Sequence, residues 1–180
     1  ACIRQATPLM YGTCETGNSR EDWLNSNLIL LWGHNPAETK FDSDSMFYLK
    51  KAKEKGIPII VIDPRKNDTV LQLDAEWIPL RPATDSALMD AMAYVIVKEG
   101  LQDQDFLDRC CLGFDKEHMP DGVEPSECYL SWLTGEQDGI EKTPEWAEPI
   151  TGVPAETIRS LAVRYATARP GALIQGYGAQ

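Results

Sequence analysis

A parallel α/β fold is the architecture predicted for this 180-residue sequence. Two short unbroken apolar runs, Leu28 to Trp32 (LILLW) and Ile57 to Ile62 (IPIIVI), have the length and composition of strands buried on both faces. One-sided apolar stripes at helical spacing lie elsewhere, as in residues 84–99, where Leu88, Ala91, Met92, Val95 and Ile96 recur. Strand and helix alternate through most of the chain, which implies right-handed crossovers and a mostly parallel sheet.

Residues 1–26, rich in Thr, Gly and Asn, read as loop or part-helix. After the strand at 28–32 and a Gly/Asn/Pro turn, a helix is expected from about Ser43 to Lys55, with Gly56 as its stop. The second strand, 57–62, tolerates Pro58 because it lies at the strand's start. Trp77 to Leu80 reads as a third, shorter strand, and a helix then starts at Thr84 or Asp85 and runs to Glu99. Asp103 is the expected N-cap of a short helix over 104–109. Residues 111–150 read as a long irregular excursion with one or two helical turns, the kind of segment that is usually functional or interfacial. A helix with Pro in its first turn is expected over 154–168, and the fourth strand over 172–175. The whole, 1–180, is read as a single α/β domain. It opens at Ala1 without Met and stops at Gln180 just after a strand-like run, so both ends are expected to be cuts through a longer polypeptide.

The formal net charge of −11 argues against a nucleic-acid binder, which presents a basic surface. It leaves room for a phosphate ligand, because backbone N–H groups and a few local cations hold an anion whatever the total charge. No apolar run is long enough to span a membrane, and no targeting signal is visible. The five cysteines, at 2, 14, 110, 111 and 128, form no CxxC pair and are expected to be buried and inert. With only His34 and His118 beside them, no metal ligand is assigned. Neither a GxGxxG nor a GxxxxGK[ST] motif occurs, and no nucleophile–histidine arrangement can be built, so no catalytic residue is assigned.

In parallel sheets ligands bind beyond the carboxyl ends of the strands. The first strand is followed by Trp32-Gly33-His34-Asn35-Pro36-Ala37-Glu38-Thr39. Gly33 allows a sharp turn and a close ligand approach, Asn35 both donates and accepts, and Thr39 offers a hydroxyl. An ordinary βα turn explains the same residues equally well. After the second strand come Asp63-Pro64-Arg65-Lys66, an acid suited to ribose hydroxyls next to two cations, or else an Asp that caps its own turn. After the third, Thr84 and Asp85 suit a helix N-terminus, and a carboxylate there also suits the edge of a guanine. After the fourth, Gly176-Tyr177-Gly178 is a weak signal by itself.

Together the stretches NSNLILLWGHNPAET (25–39), IPIIVIDPRKNDT (57–69), EWIPLRPATDSALMDAMAYVI (76–96), KTPEWAEPITGVPAETI (142–158) and LIQGYGAQ (173–180) resemble the dimethyl sulfoxide reductase family of molybdopterin oxidoreductases, most closely the catalytic subunits of its anaerobic bacterial members. The resemblance covers most of the chain, in family order and spacing. It implies a Rossmann-like three-layer domain gripping one guanine-dinucleotide arm of a bis-molybdopterin cofactor that carries molybdenum. By position, Trp32, Gly33, His34, Asn35, Pro36 and Thr39 would meet the pyrophosphate and ribose. Ile62, Asp63, Pro64 and Arg65 would meet the nucleoside. Thr84 and Asp85 would hold the guanine, and Gln175, Gly176 and Gln180 would lie near the pterin. Where the family usually has Gly this chain has Ala83, whose methyl group either crowds the base or shows that φ is negative there.

For the whole protein the resemblance implies a reductase that removes oxygen from sulfoxides or N-oxides. An Fe–S cluster would be held in a preceding segment, with an iron–sulfur electron-transfer subunit and a membrane anchor subunit as partners. It further implies a place on the outer face of the cytoplasmic membrane, and no turnover by these residues alone. Related members act on nitrate, formate, selenium or arsenic compounds. A stand-alone nucleotide-sensing module, or a structural α/β domain whose turns only cap helices, are the readings from other classes.

Overall fold

The computed structural model describes residues 2–13, 17–39 and 44–176, with side chains from residue 7 onward. The chain divides into two compact units, one of Ala1–Ala83 with Ala168–Gln180 and one of Thr84–Thr167.

The first unit begins with α1 (Cys2–Tyr11) and a 3-10 segment, Arg20–Asn25. Its centre is a four-stranded sheet of β1 (Leu28–Trp32), β2 (Ile59–Ile62), β3 (Glu76–Ile78) and β4 (Gly171–Gln175) in the order β3-β2-β1-β4. Every pairing is parallel, which bears out the expected sheet. Every residue of β1 and β2 is at most 5% exposed, which explains why these strands read as continuous apolar runs rather than alternating ones. β4 lies at the sheet's edge with alternate residues exposed. Helices α2 (Ser45–Glu54) and α3 (Asp68–Leu73) close one face, where Leu49, Ala52, Val70 and Leu73 pack with Ile29, Leu31, Ile59 and Val61.

The second unit is helical: α4 (Asp85–Lys98), α5 (Gln104–Cys110), α6 (Tyr129–Leu133), α7 (Pro144–Thr151) and α8 (Ala155–Thr167). α4, α7 and α8 pack on one another, and α6 packs on α4. The buried residues of α4 are Ala87, Leu88, Ala91, Met92 and Val95, close to the stripe read from sequence. Asp103 caps α5 by accepting from Phe106 N at 3.0 Å, as expected.

Three local expectations are revised. The segment 111–150 is irregular only in its first half. Its second half holds α6 and the two-turn α7, started by Thr143, whose hydroxyl accepts from Trp146 N at 3.2 Å, with Pro144 at the first helical position. Pro149 reads as a breaker but sits inside this short helix, where only one backbone bond is lost. A helix not expected from sequence, α3, follows β2; its readable signal was the Asn67 cap, which accepts from Val70 N at 3.1 Å. Finally, Ala83 has φ +63, so a negative φ is excluded: the alanine occupies the left-handed region that glycine takes without strain.

Candidate functional site

Parallel register aligns the strand ends. Trp32 pairs with both Ile62 and Gln175, and Ile62 pairs with Ile78, so these four residues form the last row of the sheet. The loops that follow all leave from this one edge, the place where open parallel sheets bind ligands.

At its centre the backbones touch. Gly33, at φ +57, donates its N–H to Ile62 O at 2.9 Å, and Gly176 donates to Trp32 O at 2.9 Å. A Cβ on Gly176 would lie 1.9 Å from Gly33 O, so no side chain fits there. Gly33 and Gly176 thus meet backbone to backbone at this edge. The side chains of Trp32 and Ile62 are 2% and 1% exposed and belong to the core, so only their backbone faces the edge.

The turn after β1 closes on Asn35, whose carbonyl accepts from Thr39 N at 2.9 Å and from Glu38 N at 3.3 Å. The Asn35 side chain accepts from Thr69 Oγ1 at 2.7 Å, and Thr69 Oγ1 accepts from Ala37 N at 3.1 Å, which ties the first loop to α3. Asp63 Oδ1 accepts from Arg65 N at 2.8 Å, so this carboxylate does cap its own turn. Arg65 reaches back to Glu38, with Nη2 to Oε2 at 3.1 Å. The hydrogen bond from the Asn35 side chain, then that from Arg65, hold the Glu38 carboxyl below the usual carboxylate range.

The first unit therefore brings the loop at 33–39, the Asp63–Pro64–Arg65 turn, and Gln175 with Gly176 to one edge of one sheet. His34 is half-buried, Pro36 is buried, and Pro64, Thr39 and Gln175 are exposed. Thr84 and Asp85 open α4 of the second unit; Thr84 holds the N-cap position at φ −120 and ψ 15 without a side-chain capping bond. Gln180 lies outside the described residues. Glu38 and Thr69 were not singled out from sequence, although the i, i+3 spacing of Asn35 and Glu38 on a turn was a readable signal.

Elsewhere among the described residues, Asp108, Asp115 and His118 bring potential ligand atoms within 4.8 Å of one another. His118 Nδ1 and Asp115 Oδ1 are 2.8 Å apart, and this bond raises the His118 pKa, as in an internal ion pair. No helix among the described residues is long and apolar enough to cross a membrane.

The family model for molybdopterin oxidoreductases matches residues 4–180. Dimethyl sulfoxide reductase DmsA of Escherichia coli (strain K12) is 42% identical over 183 residues, covering 100% of this chain and 22% of that protein. Trimethylamine-N-oxide reductase of Haemophilus influenzae is 38% identical over 183 residues, with 96% and 21% covered. Among solved structures, acetylene hydratase from Pelobacter acetylenicus superposes with a TM-score of 0.61 at 29% identity, over 84% of this chain and 18% of that one. The chain thus spans about a fifth of the length of the curated relatives it matches.

Proposed function

Because the chain belongs to the molybdopterin oxidoreductase family, we propose that its sheet edge binds the guanine-dinucleotide arm of a molybdopterin cofactor, in a protein that removes oxygen from sulfoxides or N-oxides. The observation that carries this reading is the donor set at that edge. The Arg65 guanidinium and the Asn35 amide lie at one anionic group, on the same sheet edge as the closely packed Gly33 and Gly176 backbone. Such donors suit a phosphate.

In this reading Gly33, His34, Asn35, Pro36 and Thr39 take the diphosphate and ribose, with Trp32 and Ile62 contributing backbone. Asp63, Pro64 and Arg65 take the nucleoside side, and Gln175, Gly176 and Gln180 lie toward the pterin. Thr84 and Asp85 hold the guanine, Asp85 accepting from its ring N–H and amino group. The bound cofactor would supply two-electron oxygen-atom transfer at molybdenum. The residues of this chain would bind and orient it, and none of them is catalytic. An Fe–S cluster outside this chain, an iron–sulfur electron-transfer subunit, a membrane anchor subunit, and a place on the outer face of the cytoplasmic membrane complete the proposal. The names of the two reductases support an oxide substrate, since both act on a sulfur or nitrogen oxide.

Isothermal titration of the cofactor-free full-length protein with GDP and ADP tests it. GDP should bind more tightly than ADP, and Asp85→Ala should remove about 1–3 kcal/mol of that preference, the worth of a bidentate base contact. Equal affinity for the two nucleotides in the unsubstituted protein would refute the role given to Asp85.

A further inference from the structure

Glu38 is an acidic side chain that bridges the loops after β1 and β2 at the proposed site. Its carboxylate accepts from Arg65 Nη2 at 3.1 Å, and the Asn35 side chain beside it helps to hold its pKa down. Amide and guanidinium are among the donor types that hold phosphate oxygens. Both come from residues already assigned to the nucleotide. An internal anion therefore sits on the donors that an external anion needs.

Exposure decides whether such a pair is fixed or exchangeable. The side chains of Glu38 and Arg65 are 39% and 72% exposed. A solvated pair of this kind is weak and breaks at small cost, whereas a buried one would be structural. Glu38 also lies at the surface end of its turn, where its side chain can leave without opening the core.

We propose that Glu38 is an intramolecular gate: its carboxylate occupies the Arg65 guanidinium beside Asn35 until the diphosphate of a nucleotide ligand displaces it. The inference rests on reading this edge as the nucleotide site. Its consequence is an equal cost to every anion that enters. A small anion that offers only charge must displace Glu38 with nothing else in return, while a nucleoside diphosphate adds ribose and base contacts. The opposite role, in which Glu38 pre-organises Arg65 for the ligand, predicts the opposite sign of effect.

The experiment is titration calorimetry of cofactor-free full-length protein with GDP and with inorganic pyrophosphate. The proteins compared are the unsubstituted one, Glu38→Gln, Arg65→Gln and the double variant, each checked by thermal melting for an intact fold. Glu38→Gln should bind both ligands about fivefold more tightly, the scale of an exposed ion pair. The gain should disappear in the Arg65→Gln background, because the gate acts through that side chain. Unchanged or weaker binding by Glu38→Gln, or a gain that persists without Arg65, overturns the gate while leaving the nucleotide site standing. Absence of GDP binding by every one of the four proteins overturns the site and the gate together.

Discussion

Single atoms decide how this edge is built. Gly176 tolerates no Cβ because Gly33 O would lie 1.9 Å from it. Two positions before α4 begins, the opposite case occurs: Ala83 carries a Cβ at φ +63, where an L-residue is strained by about 1–2 kcal/mol. Ala83→Gly should therefore raise stability by about 1 kcal/mol, after allowing for the freedom that glycine adds to the unfolded chain. Chemical denaturation of the full-length protein measures this, and a loss of stability in Ala83→Gly would show that the methyl group makes compensating contacts. The two residues look alike in sequence, as small residues in strand-end loops; only backbone dihedrals and a neighbour's carbonyl separate them.

Among the elements, α4 is the post to which the second half of the excursion is tied. Asp90 accepts from Tyr129 Oη at 2.8 Å and from Trp132 Nε1 at 2.9 Å, and Tyr94 Oη donates to Glu141 at 2.6 Å. Burial, together with the Glu141 contact, pushes the Tyr94 phenol up to about 12. Lys142, 1% exposed, completes the knot: it bonds Asp138 at 2.7 Å and Ile140 O at 2.6 Å, and lies 3.8 Å from the centre of the Trp132 ring. Asp90→Ala leaves two donors without their acceptor and should cost about 1–3 kcal/mol, with Asp90→Asn costing less. Thermal melts and hydrogen exchange at residues 129–133 check this, and exchange that is unaltered there would sink the tie. The tie was not legible in the sequence, since its partners lie 39 to 47 positions apart. The helices with strong periodicity and clean stops were legible, whereas α3 and α7, of six and eight residues, carry too few turns for a periodic signal.

At the scale of the whole molecule, charge is divided unevenly. Residues 84–167 hold 17 acidic and six basic side chains, while the rest of the chain holds eleven of each. The entire net charge of −11 thus belongs to the helical unit, and the unit that carries the sheet edge is neutral. Neutrality there spares a phosphate ligand the local excess of like charge that an acidic surface would impose. Self-repulsion in the helical unit should make the protein more stable as salt shortens the Debye length from about 10 Å at 0.1 M to about 3 Å at 1 M. Replacing the exposed Glu117, Asp121 and Glu124 by their amides should flatten that dependence in melts of the full-length protein across this range. An equally steep salt dependence in the amide variant would place the repulsion elsewhere.

The parallel sheet, its buried strands, and the loop residues at their ends could be read from the chain alone. Apolar run length and helical periodicity are local properties, and parallel order then sends every strand's end to one edge. The division into two units, the left-handed backbone at Ala83, the contact of Gly33 with Gly176, and the capture of Asn35 and Arg65 by Glu38 could not. Each of these depends on atoms brought together by packing from separate stretches of chain, a distance that no run of residue types encodes.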